Sequence, residues 1–256
     1  MISFFPSRIV AIELFGFSVH WYGIMYFLAF LIAWFLVSRL QEKRGLSFSG
    51  DEWSGLLTAA VLGVIVGGRL GFVFFYEPAY FFAHPLKVFA VWEGGMASHG
   101  GFIGVTIALW WKLRHYGWET FFRVADVVTV PIAIGLMLGR LGNFINLELY
   151  GTVTDVPWAI VIPGVEGLRH PTQIYAMMKD ALLAAVCFWH LSAYRHAKPG
   201  ITFSIFLILY GVLRFVVEIY RDQTNVDMYG VLSEGQMLTI PVILVGMFVF
   251  IYRKRG

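Results

Sequence analysis

Residues 200–219, GITFSIFLILYGVLRFVVEI, form a long apolar run whose ionisable side chains are Arg214 and Glu218. A helix of about 20 apolar residues is long enough to cross a hydrocarbon core of about 30 Å. We therefore predict that this run is a membrane-spanning helix, with two opposite charges near one of its ends.

The remainder of the chain has the same apolar character. Of its 256 residues, 59% are hydrophobic, 18% are aromatic and 14% are charged, and the mean hydropathy is +0.73. A soluble domain of this length could not bury so much apolar surface in one core. Comparable runs lie near 18–38, 54–75, 96–113, 122–138, 175–193, 200–219 and 236–252. The sequence thus predicts an all-α integral membrane protein with about seven transmembrane helices, folded as one polytopic domain over residues 1–256.

Basic residues predict how these spans are oriented. Eleven of the nineteen lysines and arginines lie in four short segments, namely Arg39, Lys43 and Arg44; Lys112, Arg114 and Arg123; Arg195 and Lys198; and Arg253, Lys254 and Arg255. Loops rich in lysine and arginine stay in the cytoplasm. We expect the N-terminus outside, the C-terminus in the cytoplasm, and extracytoplasmic segments near 76–95, 139–174 and 220–235, with a polar pocket on that outer face. These loops also account for the net charge of +3, so no nucleic-acid partner is expected.

Arginines inside the apolar runs need a cavity or a partner, because each costs on the order of 3 kcal/mol near the bilayer centre. Four arginines raise this question, namely Arg69, Arg140, Arg214 and Arg221. For Glu218, which lies four residues after Arg214, two interpretations remain open: an intrahelical ion pair or a role in a pocket. Two guanidinium groups, Arg140 and Arg214, suit a phosphate, since each offers a fixed fork of donors.

The segment GRLGNFINLELYG, residues 139–151, places four polar side chains beside an apolar run. On a regular helix Arg140, Asn143, Asn146 and Glu148 would be spread around most of the circumference. Irregular backbone at membrane depth is tolerated where it lines a cavity or is buried in protein. We therefore predict a broken or re-entrant segment that forms the wall of a polar pocket.

Other short motifs give weaker indications. His99 in GGMASHGG (94–101) is either a structural residue or a general base, and Cys187 is the single cysteine, which excludes an internal disulfide. Lys179 and Asp180 are expected to neutralise one another. Glycines recur every four residues at 63, 67 and 71, which favours close helix packing.

The sequence resembles the prolipoprotein diacylglyceryl transferase family. The family signature G-R-x-G-N-F-x-N-x-E-x-x-G is matched at Gly139, Arg140, Gly142, Asn143, Phe144, Asn146, Glu148 and Gly151. The stretches HWYGIMY (20–26), GGRLG (67–71), RHPTQIY (169–175) and YGVLRF (210–215) extend the resemblance over nearly the whole chain. Departures occur at Ser98, where the family commonly has an aromatic residue, at Ala176 in place of a glutamate, and at Asp222 and Gln223 in place of proline and aspartate.

The resemblance implies transfer of a diacylglyceryl group from phosphatidylglycerol to the lipobox cysteine of a preprolipoprotein signal peptide, in a bacterial inner membrane. It places Arg140 and Arg214 at the phosphate and makes His99 the candidate base. The further substrate-binding candidates are Asn143, Asn146, Glu148, Tyr22, Tyr26, Arg69, Glu218, Arg221, His170 and Gln173. No metal or organic cofactor is expected.

A membrane transporter or channel for a small anionic or lipid solute is the main alternative, since polar residues inside spans also mark transport pathways. Paired broken helices would favour a transporter, and the sequence suggests one such segment. We find no G-x-S-x-G nucleophile for an intramembrane serine protease. The acidic motifs of acyltransferases and phosphotransferases are also missing from the sequence.

Overall fold

The computed structural model describes residues 2–4, 7–91, 94–222, 228–229 and 231–255, without the side chains of residues 2–4, 98–99 and 228–229. Its helices are α1 (Trp21–Leu40), α2 (Gly50–Phe75), α3 (Pro78–Ala83), α4 (Ser98–Leu113), α5 (Gly117–Asn146), α6 (Thr172–Ala193), α7 (Ile201–Ile219) and α8 (Glu234–Arg255). All except the six-residue α3 coincide with the predicted apolar runs. Residues 100–146, which contain α4 from Gly100 onwards and all of α5, form one of six described stretches long and apolar enough to cross a membrane. The prediction of an all-α membrane protein is confirmed.

Short antiparallel strands supplement the helices outside these spans. They are β1 (Ile2–Phe4), β2 (Val10–Leu14), β3 (Phe17–His20), β4 (Ile160–Val161), β5 (Leu168–Arg169), β6 (Met228–Tyr229) and β7 (Leu232–Ser233). The first three form one sheet in the order β1-β2-β3, and the others form two hairpins, β4-β5 and β6-β7. Apolar runs of membrane length do not predict such short strands.

The chain folds into two compact units, one comprising residues 46–124 and the other residues 1–45 and 125–256. In the unit of residues 46–124, α2 packs against α4 through glycines. A Cβ atom at Gly63 would lie 2.7 Å from the carbonyl oxygen of Gly104, so the two backbones meet where a side chain would not fit. This confirms the predicted role of the glycine repeat in helix packing. The single polytopic domain over residues 1–256 stays a prediction.

The unit of residues 1–45 and 125–256 contains α1, most of α5, and α6, α7 and α8. At one end of this unit, Arg44, just after α1, forms a buried ion pair with Asp126 in α5, with 2.8 Å between Arg44 Nε and Asp126 Oδ2. Arg44 also donates to Thr202 Oγ1 at 2.6 Å. Asp126 accepts hydrogen bonds from the backbone N–H groups of Gly200 and Phe203, so a side chain of α5 caps the N-terminus of α7.

Candidate active site

At its C-terminal end, α5 positions the first polar side chains of the site. The helix continues without a break from Gly117 to Asn146, so the prediction of a broken or re-entrant segment over residues 139–151 is wrong up to Asn146, and the chain leaves the helix only at Leu147. Arg140 and Asn143 are three residues apart and share one helix face. The Arg140 guanidinium donates to Asn143 Oδ1 at 3.2 Å. The helix remains regular because the surrounding structure provides hydrogen-bond partners for its polar side chains, so the backbone does not need to break.

The chain reverses immediately after α5, and this reversal brings Glu148 back beside the helix. Leu147 and Leu149 both adopt a positive φ of 56°, in the left-handed region that favours glycine. The Glu148 N–H donates to the Asn143 carbonyl oxygen at 3.1 Å, which satisfies an acceptor at the helix end. Glu148 can therefore face Asn143 although it lies beyond the last helical turn.

Tyr22, at the start of α1, joins Asn143 and Glu148 in a hydrogen-bonded network. The Tyr22 hydroxyl donates to Glu148 Oε1 and accepts a hydrogen bond from Asn143 Nδ2. Asn143 Nδ2 also donates to Glu148 Oε1 at 2.9 Å. Because Asn143 Oδ1 accepts from Arg140, the network links the orientation of this arginine to both α1 and the residues after α5.

The N-terminal turn of α6 is bound to the same reversal. Gln173 Nε2 donates to the carbonyl oxygen of Glu148 at 2.7 Å, and Thr172 Oγ1 donates to that of Leu149 at 2.7 Å. Gln173 is only 1% exposed, and its Oε1 accepts no hydrogen bond from the described residues. A buried amide oxygen without a partner is costly, so this atom is suited to accept a hydroxyl hydrogen bond from a ligand.

The C-terminal end of α7 and the residues just after it provide two arginines and, between them in sequence, a buried carboxylate. Glu218, whose side chain is 1% exposed, forms ion pairs with Arg214 and, at 3.4 Å, with Arg221. This confirms the intrahelical ion pair that the i,i+4 spacing suggested. Burial lowers the pKa of the Arg221 guanidinium from its ordinary value, and the Arg214 and Arg140 charges act in the same direction, while Glu218 opposes them. The guanidinium stays charged in this setting.

These elements enclose a small polar cavity of about 20 Å³, roughly the space of one water molecule. It is lined by Arg140, Asn143, Leu149, Thr172, Gln173, Ala176, Arg214, Val217 and Arg221. Arg140 and Arg214, distant in the chain, thus face the same cavity. Its three arginines, Arg140, Arg214 and Arg221, carry three positive charges, and the nearby Glu148 and Glu218 carry two negative charges. The resulting net charge of +1 suits a singly charged phosphate diester.

Seven of the predicted substrate-binding residues lie outside the cavity lining, namely Tyr22, Tyr26, Arg69, Asn146, Glu148, His170 and Glu218. Tyr22, Glu148 and Glu218 still contact residues that line it. Tyr26 is 62% exposed and stacks on Tyr22 with ring centroids 6.4 Å apart. Asn146 has a buried Oδ1 that accepts no hydrogen bond from the described residues. His170 accepts or donates a hydrogen bond with the Tyr175 hydroxyl at 3.0 Å, and its ring packs on Tyr220. These contacts favour a structural role for His170.

Arg69, in the unit of residues 46–124, is fully engaged with the backbone. Its guanidinium donates to the carbonyl oxygens of Lys87, Val88, Ala90, Gly94 and Gly95. An arginine has five N–H donors, so none remains for a phosphate. This geometry favours a structural role, in which Arg69 holds the backbone of residues 87–90 and 94–95, and substrate binding by Arg69 stays a prediction.

His99, the predicted base, belongs to the first turn of α4, but its side chain lies outside the described part of the structure. The same holds for Ser98, one of the departures from the family pattern. Asp222, a second departure, forms an ion pair with Arg169 at 2.9 Å, while Gln223 lies outside the described residues. Ala176, the third, lines the cavity.

Sequence reasoning missed several parts of this arrangement. Thr172 and Leu149 line the cavity although neither residue type signals a site. The Arg44–Asp126 pair was also missed, yet a lone aspartate inside an apolar run is a usable signal for a buried partner. Arg8, which donates to the carbonyl oxygens of Phe144 and Ile145 at the end of α5, carries no such signal in sequence.

Comparisons with known proteins agree over most of the chain. A family model described as prolipoprotein diacylglyceryl transferase matches residues 9–252. A phosphatidylglycerol–prolipoprotein diacylglyceryl transferase of Geobacter sulfurreducens is 43% identical over 92% of this chain and 92% of its own length. Proteins of the same name from Ectopseudomonas mendocina and Dechloromonas aromatica are 42% and 44% identical, covering 96% and 93% of this chain and 94% and 93% of their own lengths.

Proposed function

Because the chain belongs to the prolipoprotein diacylglyceryl transferase family, we propose that it transfers the diacylglyceryl group of phosphatidylglycerol to the lipobox cysteine of preprolipoproteins. The products are a thioether-linked lipid on the cysteine and glycerol phosphate, and the reaction is the first step of lipoprotein maturation. The observation that supports a location for this activity is the cavity that Arg140 and Arg214 line together.

The reaction forms a carbon–sulfur bond and breaks a carbon–oxygen bond of the phosphate ester. As the thiolate attacks the glyceryl carbon, the electron pair of the broken bond stays on the phosphate oxygen. Arg140 and Arg214 face the cavity in which this charge would grow, so they stabilise the transition state more than the ground state. Arg221 adds positive charge to the same cavity and shares Glu218 with Arg214.

Neutral groups around the arginines suit the rest of the head group. The glycerol hydroxyls of phosphatidylglycerol need donors and acceptors, which Asn143 and Gln173 provide at the cavity wall. The acyl chains can remain in the bilayer. The side chains of Arg214 and Arg221 are 16% and 23% exposed, so the phosphate can reach them from the surface of the protein.

The incoming thiol, with a free pKa of about 8.5, must lose its proton before attack. We assign His99 as the base on the strength of the motif alone, since a neutral imidazole accepts a proton near neutral pH. An electropositive pocket that lowers the thiol pKa without a dedicated acceptor is the competing explanation. The mechanism requires neither a metal nor an organic cofactor.

The chain is a multi-pass membrane protein, and we place it in the bacterial inner membrane with its cavity towards the outer face. Basic residues support this orientation, both just after α1, at Lys43 and Arg44, and at the end of α8, at Arg253, Lys254 and Arg255. The helices α5 and α7 run in the same direction, and the cavity lies at their C-terminal ends, opposite the Arg44–Asp126 pair. The comparisons give no support to the transporter alternative.

The arginine assignment is tested by measuring transfer from phosphatidylglycerol to a lipobox peptide with purified Arg140→Ala and Arg214→Ala. We expect each variant to lose on the order of 100-fold or more in kcat, as when one transition-state donor is removed. Arg195→Ala, at an exposed arginine of the opposite end, is the matched control and should retain full activity.

Loss of Arg214 would leave Glu218 with one arginine fewer, which could harm folding instead of catalysis. The double variant Arg214→Ala/Glu218→Gln removes the extra buried charge and should stay inactive while melting near the parent temperature. Parent-like activity in Arg140→Ala or in the double variant would remove that arginine from the phosphate site.

The base assignment is tested by the pH profile of His99→Gln. If His99 takes the thiol proton, the variant should lose activity at neutral pH and regain part of it as the pH rises through the thiol pKa. An unchanged profile would instead support the electropositive pocket.

A further inference from the structure

The face of α6 that lines the cavity continues below it to a buried charged pair. Gln173 and Ala176 face the cavity, and Lys179 and Asp180 follow Ala176 by three and four residues. Residues at these spacings share a helix face. The pair lies about 10 Å further along the helix axis than Gln173, at a rise of about 1.5 Å per residue.

Both members of the pair are buried, with 4% of the Lys179 side chain and none of the Asp180 side chain exposed. The Lys179 ammonium donates to Asp180 Oδ1. It also lies over the ring of Tyr210, 4.7 Å from the centroid, one turn before Arg214 on α7. The contacts of Lys179 thus connect α6 to the helix that carries the cavity arginine.

The second carboxylate oxygen of Asp180 is the unusual atom in this arrangement. Oδ2 is buried and accepts no hydrogen bond from the described residues. A buried ion pair costs more than it contributes unless its remaining lone pairs are satisfied. Mutual neutralisation therefore does not fully explain why Lys179 and Asp180 are buried at this position of α6.

We infer that Lys179 and Asp180 form a positioning pair beneath the arginine cavity, which sets the cavity's affinity for the anionic phosphate of the lipid. The inference rests on the proposed function, because it takes phosphatidylglycerol as the ligand. Asp180 offsets the positive charge of Arg140 and Arg214 when the cavity is empty. Lys179 pairs with the Asp180 carboxylate through Oδ1. Because of this pairing, the carboxylate does not bind Arg140 or Arg214 in place of the lipid phosphate.

Ala176 lies between Gln173 and the charged pair on this face of α6, and its small apolar side chain lines the cavity. The nearest acidic group that α6 provides on this face is therefore Asp180, one turn deeper. The charge that α6 contributes near the cavity thus comes from the layer beneath the cavity wall.

The test is the KM for phosphatidylglycerol in mixed micelles, measured with Lys179→Met and Asp180→Asn. Lys179→Met leaves Asp180 to compete with the phosphate for the arginines, so KM should rise by about tenfold, the order expected for a unit charge about 10 Å away at an effective dielectric constant of about 20. Asp180→Asn leaves an additional positive charge and should lower KM. The double variant should return KM towards that of the parent, and kcat should change less than KM in all three.

A merely structural pair predicts a different pattern. Removing either partner would then lower the melting temperature and the amount of active enzyme in both single variants, with KM unchanged or shifted in the same direction. That result overturns the inference, and so does a parent-like KM in both single variants. Lys198→Met, at an exposed lysine, is the control and should keep the parent KM.

The two proposals fail in distinguishable ways. A parent enzyme without transfer activity overturns the proposed function. In that case, retention of phosphatidylglycerol against phosphatidylethanolamine by the purified variants still tests the charge control. Retention of phosphatidylglycerol that is strongest in Asp180→Asn, intermediate in the parent and weakest in Lys179→Met supports the proposed role of the pair. Equal retention by all three contradicts it.

Discussion

The orientation of Arg140 depends on a chain of single hydrogen bonds that begins at an aromatic hydroxyl. Tyr22 contacts both Glu148 and Asn143, and Asn143 in turn accepts from Arg140. A partly buried carboxylate that loses a donor retains its desolvation cost, which amounts to about 1–3 kcal/mol. The position of the Arg140 guanidinium, which we propose to be catalytic, is therefore controlled by a residue that does not line the cavity.

At the residue scale, we predict that Tyr22→Phe lowers transfer activity by about tenfold, since a misplaced arginine loses part of its transition-state interaction. Tyr26→Phe is the matched control, because Tyr26 is 62% exposed and makes no hydrogen bond in the network. The measurement is kcat/KM for the lipobox peptide at equal enzyme concentration. Equal losses in both variants would show that the network does not position Arg140, and would return Tyr26 to the substrate site.

Helix α7 depends on a neighbouring element for its N-terminal cap. Gly200 precedes the helix with a φ of 95° and offers no side chain for capping. Asp126 of α5 accepts the N–H groups of Gly200 and Phe203 at 3.0 and 2.8 Å instead. Arg44, just after α1, balances the charge of this carboxylate, so α1, α5 and α7 are joined through one buried group. Because α7 carries Arg214 and Glu218, this cap also fixes the register of the candidate active site.

At the element scale, Asp126→Asn should destabilise the protein by about 3–5 kcal/mol, because it leaves Arg44 as a buried charge without its counterion. Thermal unfolding in detergent measures this as a large fall in melting temperature. Arg44→Gln in the same chain should recover part of the loss. Glu42→Gln, at an exposed acid near Arg44, serves as the control. A melting temperature unchanged by Asp126→Asn would show that the cap is dispensable.

Across the whole unit of residues 1–45 and 125–256, polar groups are concentrated at two ends. On α5, Asp126 and Arg140 are fourteen residues apart, and on α7, Thr202 and Glu218 are sixteen residues apart. These separations correspond to about 21 and 24 Å of helix, which is somewhat less than a hydrocarbon core of about 30 Å. The cavity and the Arg44–Asp126 pair therefore lie towards opposite ends of these membrane-length helices.

At the scale of the whole molecule, we predict that the cavity end faces outwards. In a Cys187→Ser background, a membrane-impermeant maleimide should label Glu166→Cys in intact cells. Arg195→Cys should be labelled only after permeabilisation. Both positions are exposed, so accessibility within the fold does not limit the reaction. The reverse labelling pattern would place the cavity in the cytoplasm and contradict the proposed topology.

The sequence by itself determined the membrane class, the seven long helices and the signature segment that places Arg140. Apolar length, the charges of short loops and a local motif are all properties of neighbouring residues, so they can be recognised along the chain. The regularity of the helix over residues 139–146 could not be recognised in this way. Whether backbone remains helical at membrane depth depends on the partners that surround it.

Only the tertiary structure decided which arginines are available to a ligand. Arg69 and Arg140 resemble one another in sequence, each between glycines at the end of an apolar run. Arg69 uses its donors on backbone carbonyl oxygens, whereas Arg140 faces a cavity with Arg214. The cost of a buried charge requires that each arginine finds a partner, but the identity of the partner depends on contacts between residues far apart in the chain.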